Sequence, residues 1–484
     1  MKTFTNPRMY NLPFDSLRPE QERALDWLHA QCSRVKMVEA PPGVGKTLLA
    51  AVYAYECGGG VILTETLSLL KQYESLGIPV IRGRANFRCT SGGTCEDGME
   101  DDPPCHAGGC PYRRAKELAL ASPVFATTYA SYFADSLIRD IVGAVICDEG
   151  HRLDGALSRW HGLSLTIPHA KAPSVPLGND LTAWSRWAEQ VDSWGADDKE
   201  QKRIAETLGK LAHIDTSMSW VVNCTLSAAA PSAGGVEVLP IWPAPGWRQA
   251  FNHCNNIVLM SATLYGGALL ASMLGEDDYS YLSLNSPFDP GRRPVYIVPA
   301  ATLNWQSTSA DWQRVGTLCA DIIKLSGNTK GLIHVSSKRQ VNTIQETLSK
   351  ASPDTDIIYH TDETRRKRQE LFDAFRKTPS PVWMVSPSAF EGEDFPDEQL
   401  RAQIIAKVRY ADRSDPLVAA RLGWGPRGRS WYAAHTVANM CQAIGRSMRS
   451  EDDWGVTYIT DGAVYNLLRF HRALWPEYIL EAIQ

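Results

Sequence analysis

Lys46 and Thr47 close the run VKMVEAPPGVGKT, Val35 to Thr47, in which a short apolar stretch enters a Pro/Gly turn and Leu48-Leu49-Ala50-Ala51-Val52 continues at helical spacing. Strand, glycine turn and helix in that order make a loop whose backbone amides and helix N-terminus face phosphate. In such a loop Gly43, Val44 and Gly45 shape the turn, Lys46 reaches β and γ oxygens, and the Thr47 hydroxyl ligates magnesium. Ala40 stands where the strict pattern G-x-x-x-x-G-K-S/T has its first glycine. A second apolar run, IVGAVICDEGH, is fit for a buried parallel strand and ends in Asp148 and Glu149. Asp148 is suited to hold the metal through water, and Glu149 to accept a proton from an attacking water. A third strand-like run, NNIVL, leads into Met260-Ser261-Ala262-Thr263-Leu264, whose small hydroxyls can link a nucleotide site to a second site. In QAIGRSMR, helical spacing puts Gln442, Arg446 and Arg449 along one side of a helix, where an amide and two guanidiniums reach a γ-phosphate across a cleft.

A different chemistry is suggested by Cys89, Cys95, Cys105 and Cys110, four of the chain's 11 cysteines, spaced C-x5-C-x9-C-x4-C. In a reducing compartment such a group binds metal in preference to forming disulfides. Zinc ribbons use closer C-x2-C pairs, which weighs somewhat against zinc; irregular zinc sites exist, however, and His106 is available as a substitute ligand. Thiolates suit iron-sulfur clusters and zinc alike. The stretch is rich in Gly, Pro and acid, so metal would be needed to order it. Its flanks are basic: Arg82, Arg84 and Arg88 before the first cysteine, and Arg113, Arg114 and Lys116 after the last. Chelation would bring both flanks together to meet phosphates, with Phe87 or Tyr112 to stack on a base or wedge a duplex junction. The other seven cysteines are scattered and read as small core residues.

The elements that must position these groups follow from length and pattern. The chain has 484 residues, 44% of them hydrophobic, enough for several cores. The N-terminus MKTFTNPRMYNLPFD lacks the apolar run of a signal peptide, and no run of eighteen apolar residues spans a bilayer, so a cytoplasmic location and no membrane partner are expected. A net charge of −5 excludes a molecule that binds nucleic acid over its whole surface and leaves local basic tracks. The expected fold class is α/β, with two parallel-sheet motor domains and two inserted domains. Residues 1–81, 121–152 and 239–270 form the first motor domain, interrupted by the cysteine segment at 82–120 and by a helical insertion at 153–238. Residues 271–484 form the second, with strands expected at VYIVP, GLIHVSS, DIIYH, VWMVS, AQIIAKV and VTYIT. Trp160, Trp184, Trp187, Trp194 and Trp220 read as the core of a small helical domain.

With these motifs in this order, the sequence resembles superfamily 2 helicases, specifically the XPD/DinG iron-sulfur group. Asp-Glu-Gly-His at 148–151 is one residue from a helicase Asp-Glu-Ala-His box. Leu17-Arg18-Pro19-Glu20-Gln21 resembles the adenine-side motif, with Gln21 as the implied base contact, and Glu39-Ala40-Pro41-Pro42 the lead into the phosphate loop. Thr64-Glu65-Thr66 with Gln72 resembles a segment touching the DNA backbone. Ser286-Pro287-Phe288-Asp289 resembles the passage into the second motor domain, and Gly331 to Ser337 the strand and loop that grip DNA there. Phe390 to Pro396 is similar to the coupling motif, and Gln442 to Arg449 to the arginine-finger helix. Thr127-Thr128-Tyr129 departs from the usual Thr-Asn-His or Thr-Asn-Tyr, and Lys407-Val408-Arg409-Tyr410 from a Leu-Pro-Phe-like turn. The chain is compact for the group.

The resemblance implies two RecA-like motor domains, an iron-sulfur domain and an arch. It implies ATP and Mg2+ as cofactors, with Asp394 among their contacts, and a [4Fe-4S] cluster on Cys89, Cys95, Cys105 and Cys110. It implies DNA contacts at Thr66, Arg88, Arg113, Thr128, Ser336 and Ser337. The activity expected is a DNA-dependent ATPase and helicase, acting as a monomer on single-stranded and on forked or looped DNA, moving 5′ to 3′. The alternatives are a translocase that strips proteins or R-loops, and a zinc-containing nucleic-acid remodelling ATPase.

Overall fold

The structure, a computed structural model, describes residues 6–89, 92–95, 109–140, 143–167, 175–176, 178–191, 198–225, 234–351, 355–361, 365–388, 395, 397–447 and 453–484. Cys105, His106, Trp194, Asp394 and Arg449 lie outside the described residues.

Sixteen strands among the described residues form three sheets. The first sheet contains β1 (Val35–Glu39), β2 (Gly60–Thr64), β3 (Val80–Ile81), β4 (Val124–Thr128), β5 (Ala144–Asp148), β9 (Ile257–Ser261) and β10 (Tyr279–Ser283). All its pairings are parallel, in the order β10-β1-β9-β5-β2-β4-β3. Apart from the edge strand β10, its strands are buried on both faces. Val35 and Met37 of β1 enter one core with Val61 and Leu63 of β2. Val38 enters the opposite core with Ile62 and Met260. This two-residue alternation, with helices over both faces, is why the strands read as unbroken apolar runs.

The second sheet contains β11 (Val295–Ala301), β12 (Lys330–His334), β13 (Asp356–Tyr359), β14 (Val382–Ser386), β15 (Ala402–Ile405) and β16 (Val456–Asp461). It too is wholly parallel, in the order β11-β16-β15-β12-β14-β13. All six strand-like runs of the second half are therefore strands.

Two expectations need correction. The first sheet does not end near residue 270: the helix Ala268–Leu274 and β10 follow, and Val35 to Glu39 pair in parallel with Tyr279 to Ser283. YSYLS is half-exposed, so only its pairing with β1 places it in the first domain. The insertion is also not purely helical. Around the helices Leu181–Gln190 and Asp198–Ala212 it holds an antiparallel sheet of β6 (Leu163–Ile167), β8 (Gly234–Pro240) and β7 (Trp220–Cys224), in that order. Trp184 and Trp187 are in its core. Trp160 is not: it stacks on Phe133 of the first domain at 4.9 Å. The helix Leu153–His161, counted with the insertion from sequence, likewise buries Leu153 and Leu157 in the first domain's core.

Candidate active site

Facing elements of the two parallel-sheet domains enclose a cleft of about 760 Å³. β1 enters it through a turn in which Gly43 (φ 81°) and Gly45 (φ 87°) take left-handed conformations, followed by the helix Lys46–Glu56. Gly45 is demanded by its backbone angle, and a Cβ there would also displace the Gln21 amide, whose Nε2 would lie 2.4 Å away. Lys46 Nζ donates to Ala40 O at 3.0 Å, and Thr47 Oγ1 to Gln72 Oε1 at 3.4 Å. Ala40, in the place of the first glycine, is fully buried, and its N–H donates to Ser261 O at 2.8 Å. Gln21 is buried: its Oε1 accepts from Arg18 N at 2.8 Å and its Nε2 donates to Gly45 O at 3.0 Å. Arg18 also donates to Gly43 O.

β5 delivers the two carboxylates. Asp148 is 3% exposed; its Oδ2 accepts from Tyr73 OH at 2.8 Å and its Oδ1 from Glu149 N at 3.0 Å. Glu149 turns the chain with φ 55°. Burial, then the Glu149 carboxylate, raise Asp148 to about 6. Burial also pushes Glu149 upward, but the His151 contact and Lys46 outweigh it and hold Glu149 low.

His151 connects this pair to the second domain. Its Nε2 receives Gln442 Nε2 at 2.9 Å and Arg152 Nε at 3.2 Å. With two donors on Nε2, the ring proton belongs on Nδ1, which lies 2.7 Å from Ser261 Oγ and 3.3 Å from Glu149 Oε2. Ser261 Oγ donates to Glu149 Oε2 at 3.2 Å. A continuous hydrogen-bonded path thus runs from Gln442, across the cleft, through His151 and Ser261 to Glu149. Thr263 is fully buried beside this path, its backbone N–H donating to Ser261 Oγ at 3.4 Å.

Gln442 and Arg446 do not share one helix as the spacing suggested. The α-helix Gly425–Ile444 ends before Arg446, which sits on the 3-10 turn Gly445–Ser447 and lines the cleft with 6% exposure. Gly445 is the reason the helix can end so close to the phosphate loop: a Cβ there would lie 2.7 Å from Pro42 Cγ.

The sequence-derived DNA positions fall in several places. Thr66 caps the helix Leu67–Ser75, accepting from Leu69 N at 3.3 Å, and lines the same cleft. Thr128 caps the helix Tyr129–Ala134. Ser336 N donates to Gln340 Oε1 at 2.7 Å beside the exposed Ser337, just beyond the end of β12. Arg88 and Arg113 are exposed near the cysteines.

Cys89 and Cys95 are buried, and Cys95 Sγ is 3.9 Å from Cys110 Sγ. The flanks meet as expected: Phe87 packs edge-on against Tyr112 at 5.6 Å, with Arg84 over the Tyr112 ring at 5.4 Å. Arg82 pairs with Glu74 and Lys116 with Asp135, so these two cations anchor the segment to the first domain. Soft thiolate donors fit an iron-sulfur or zinc group. Among the described residues, no set of three or more His, Cys, Asp or Glu stands in metal-holding geometry, and Cys105 is not among them.

Three contributors were not singled out from sequence. Phe14, 43% exposed, lines the cleft and offers a stacking face. Tyr73 buttresses Asp148 from 75 residues away. Arg152 pairs with Glu65 at 3.2 Å. The first two carry no local signal; Arg152 follows the Asp-Glu-Gly-His run directly.

Residues 320–476 match the family described as helicase C-terminal domain. A comparison of the sequence with curated proteins finds no match. Among solved structures, an XPD helicase superposes with a TM-score of 0.62 at 14% identity, covering 97% of this chain and 99% of that one. Xpd4 of S. tokodaii gives 0.59 at 15% identity, covering 96% and 99%. The fold is that of the XPD helicases. In the XPD-like fold the two parallel sheets are a pair of RecA-like domains with the nucleotide cleft between them. Among the described residues no helix is long and apolar enough to cross a membrane.

Proposed function

We propose that the protein is a DNA-dependent ATPase that moves 5′ to 3′ along single-stranded DNA and separates forked or looped duplex. The observation that carries the reading is the path from Glu149 through Ser261 and His151 to Gln442, because it joins the hydrolytic carboxylate to the opposite domain. The polarity and the DNA substrate rest on the XPD-like fold.

Gly43, Val44, Gly45, Lys46 and Thr47 would cradle the ATP phosphates, with Thr47 and Asp148 toward Mg2+ and Gln21 and Phe14 on the base side, and the sequence resemblance adds Asp394 to these contacts. Bound Mg2+ supplies charge neutralisation at the phosphates. Glu149, whose affinity for a proton His151 and Lys46 lower, takes the proton of the attacking water, and Arg446 with Arg449 balances charge from the second domain. When Glu149 changes charge, Ser261 and His151 reorient and alter the grip on Gln442, which couples hydrolysis to parting of the domains. Thr66, Thr128, Ser336 and Ser337, with Arg88 and Arg113, hold phosphates of the strand without reading bases. Cys89, Cys95, Cys105 and Cys110 would hold a [4Fe-4S] cluster, which would order the segment beside the duplex junction.

Strand displacement on forks with a single 5′ or 3′ tail tests the proposal. Displacement that requires the 5′ tail is expected; displacement only with a 3′ tail, or only on RNA, contradicts it.

A further inference from the structure

The insertion is fastened to the second domain as well as to the first. Arg421, on the helix Pro416–Leu422, is 2% exposed and lies where three parts of the chain meet. Its Nη1 donates to Asp154 Oδ2 at 2.9 Å and its Nη2 to Ser158 Oγ at 3.2 Å, both on the first-domain helix Leu153–His161. Its Nε donates to Ile241 O at 2.7 Å, on the segment that leaves β8 of the insertion. The rings of Trp242 and Trp431 flank the guanidinium at 5.5 and 4.6 Å. Trp431 Nε1 donates to the same Asp154 Oδ2 at 3.2 Å. Burial pushes Asp154 upward, but Arg421, His435, the Gly155 N–H and Trp431 together outweigh it and hold the carboxyl below its usual range. Such a pair is costly to separate once buried, so the junction stays joined and serves as the pivot about which the two domains part at the cleft.

Trp431 sits on the helix Gly425–Ile444, and eleven residues further along the same rod is Gln442 at the nucleotide cleft, roughly 16 Å away. The neighbouring Val418 packs in a cluster with Val221 of β7 and with Ile241 and Trp242. One rigid helix therefore has its C-terminal end against the hydrolytic site and its first turns locked to the base of the insertion.

We propose that Arg421 is a positioning residue that ties the insertion to the helix bearing Gln442, so that nucleotide-dependent movement at the cleft is delivered to the insertion. This rests on the motor reading above. The joint variant Arg421→Met with Asp154→Asn removes both charges, leaving neither buried alone. Its ATP turnover on single-stranded DNA is expected within about threefold of the parent, while base pairs opened per ATP fall at least about tenfold. Arg421→Lys is expected to restore only part, since an ammonium cannot make the forked contacts. A variant with the parent's melting temperature and an unchanged ratio overturns the proposal. A second measurement needs no substitution at the junction: fluorophores at the exposed Arg23 and Lys202 report the distance from the first domain to the insertion. A change on binding a non-hydrolysable ATP analogue supports the tie; a constant distance in a protein that hydrolyses ATP overturns it. A parent protein without ATP turnover overturns the motor reading itself.

Discussion

Gln442 Nε2 lies 2.9 Å from His151 Nε2, and this contact bridges the two RecA-like domains one hydrogen bond beyond the Ser261 and Glu149 pair. Gln442→Ala leaves His151 free to turn away from Ser261. DNA-stimulated ATP turnover is expected to fall about ten- to hundredfold with little change in the KM for ATP, because the lost contact acts on the step and not on nucleotide binding. Steady-state kinetics with saturating single-stranded DNA check this; a raised KM at unchanged kcat would point to a binding role.

Gly445 faces Pro42 so closely that an added methyl would lie 2.7 Å from its ring. Its φ of −70° is open to any residue, so Gly445→Ala acts by space alone. Overpacking of this kind costs about 1–3 kcal/mol and falls on the closed cleft. The expected result is weaker ATP affinity, by about tenfold or more, with nearly normal melting in the absence of nucleotide. Equilibrium titration with a fluorescent ATP analogue and a thermal melt separate the two effects.

Asp148 is raised to about 6 by burial and by Glu149, so a proton competes with the metal as pH falls through that value. ATP turnover is expected to drop below pH 6 and to recover partly with added Mg2+. The same shift has a stability sign. A carboxyl raised by folding favours the fold below its unfolded value, and that contribution is lost as pH rises through about 6. At pH 8, Asp148→Asn is therefore expected to melt at or above the parent's temperature while losing hydrolysis. A variant that melts well below the parent contradicts the assigned environment.

Cys105→Ser is expected to lower iron content and to reduce unwinding more than ATP turnover. Iron, sulfide and zinc analysis on protein purified without oxygen checks this in the parent: about four irons per chain fit the proposed cluster, whereas one zinc without iron removes it.

The parts of the site that were legible in sequence are those set by local chain geometry. VKMVEAPPGVGKT and VICDEGH each carry strand, turn and reactive residue within a dozen positions, and both occupy the cleft. In the second sheet β12, β14 and β15 were legible because burial on both faces makes them continuous apolar runs, whereas the part-exposed edge strands β11 and β13 were legible from their β-branched and aromatic residues. What escaped depends on distant pairing. YSYLS joins the first sheet only through β1, and WVVNC and GGVEVLP are half-buried strands of one antiparallel sheet that no helical or apolar period announces. Helical spacing puts Gln442 and Arg446 on one helix, yet the α-helix gives way to a 3-10 turn at Gly445, beside Pro42. Arg421 looks like a solvated helix residue in sequence and is buried only because Asp154, Ile241 and two tryptophans converge on it.

The most direct measurement is ATP hydrolysis with and without single-stranded DNA, for the parent and for Lys46→Ala. The account expects turnover that DNA stimulates severalfold in the parent, falling at least about a hundredfold in Lys46→Ala while DNA binding persists. Turnover that ignores DNA in the parent, or that survives the loss of Lys46, would contradict it.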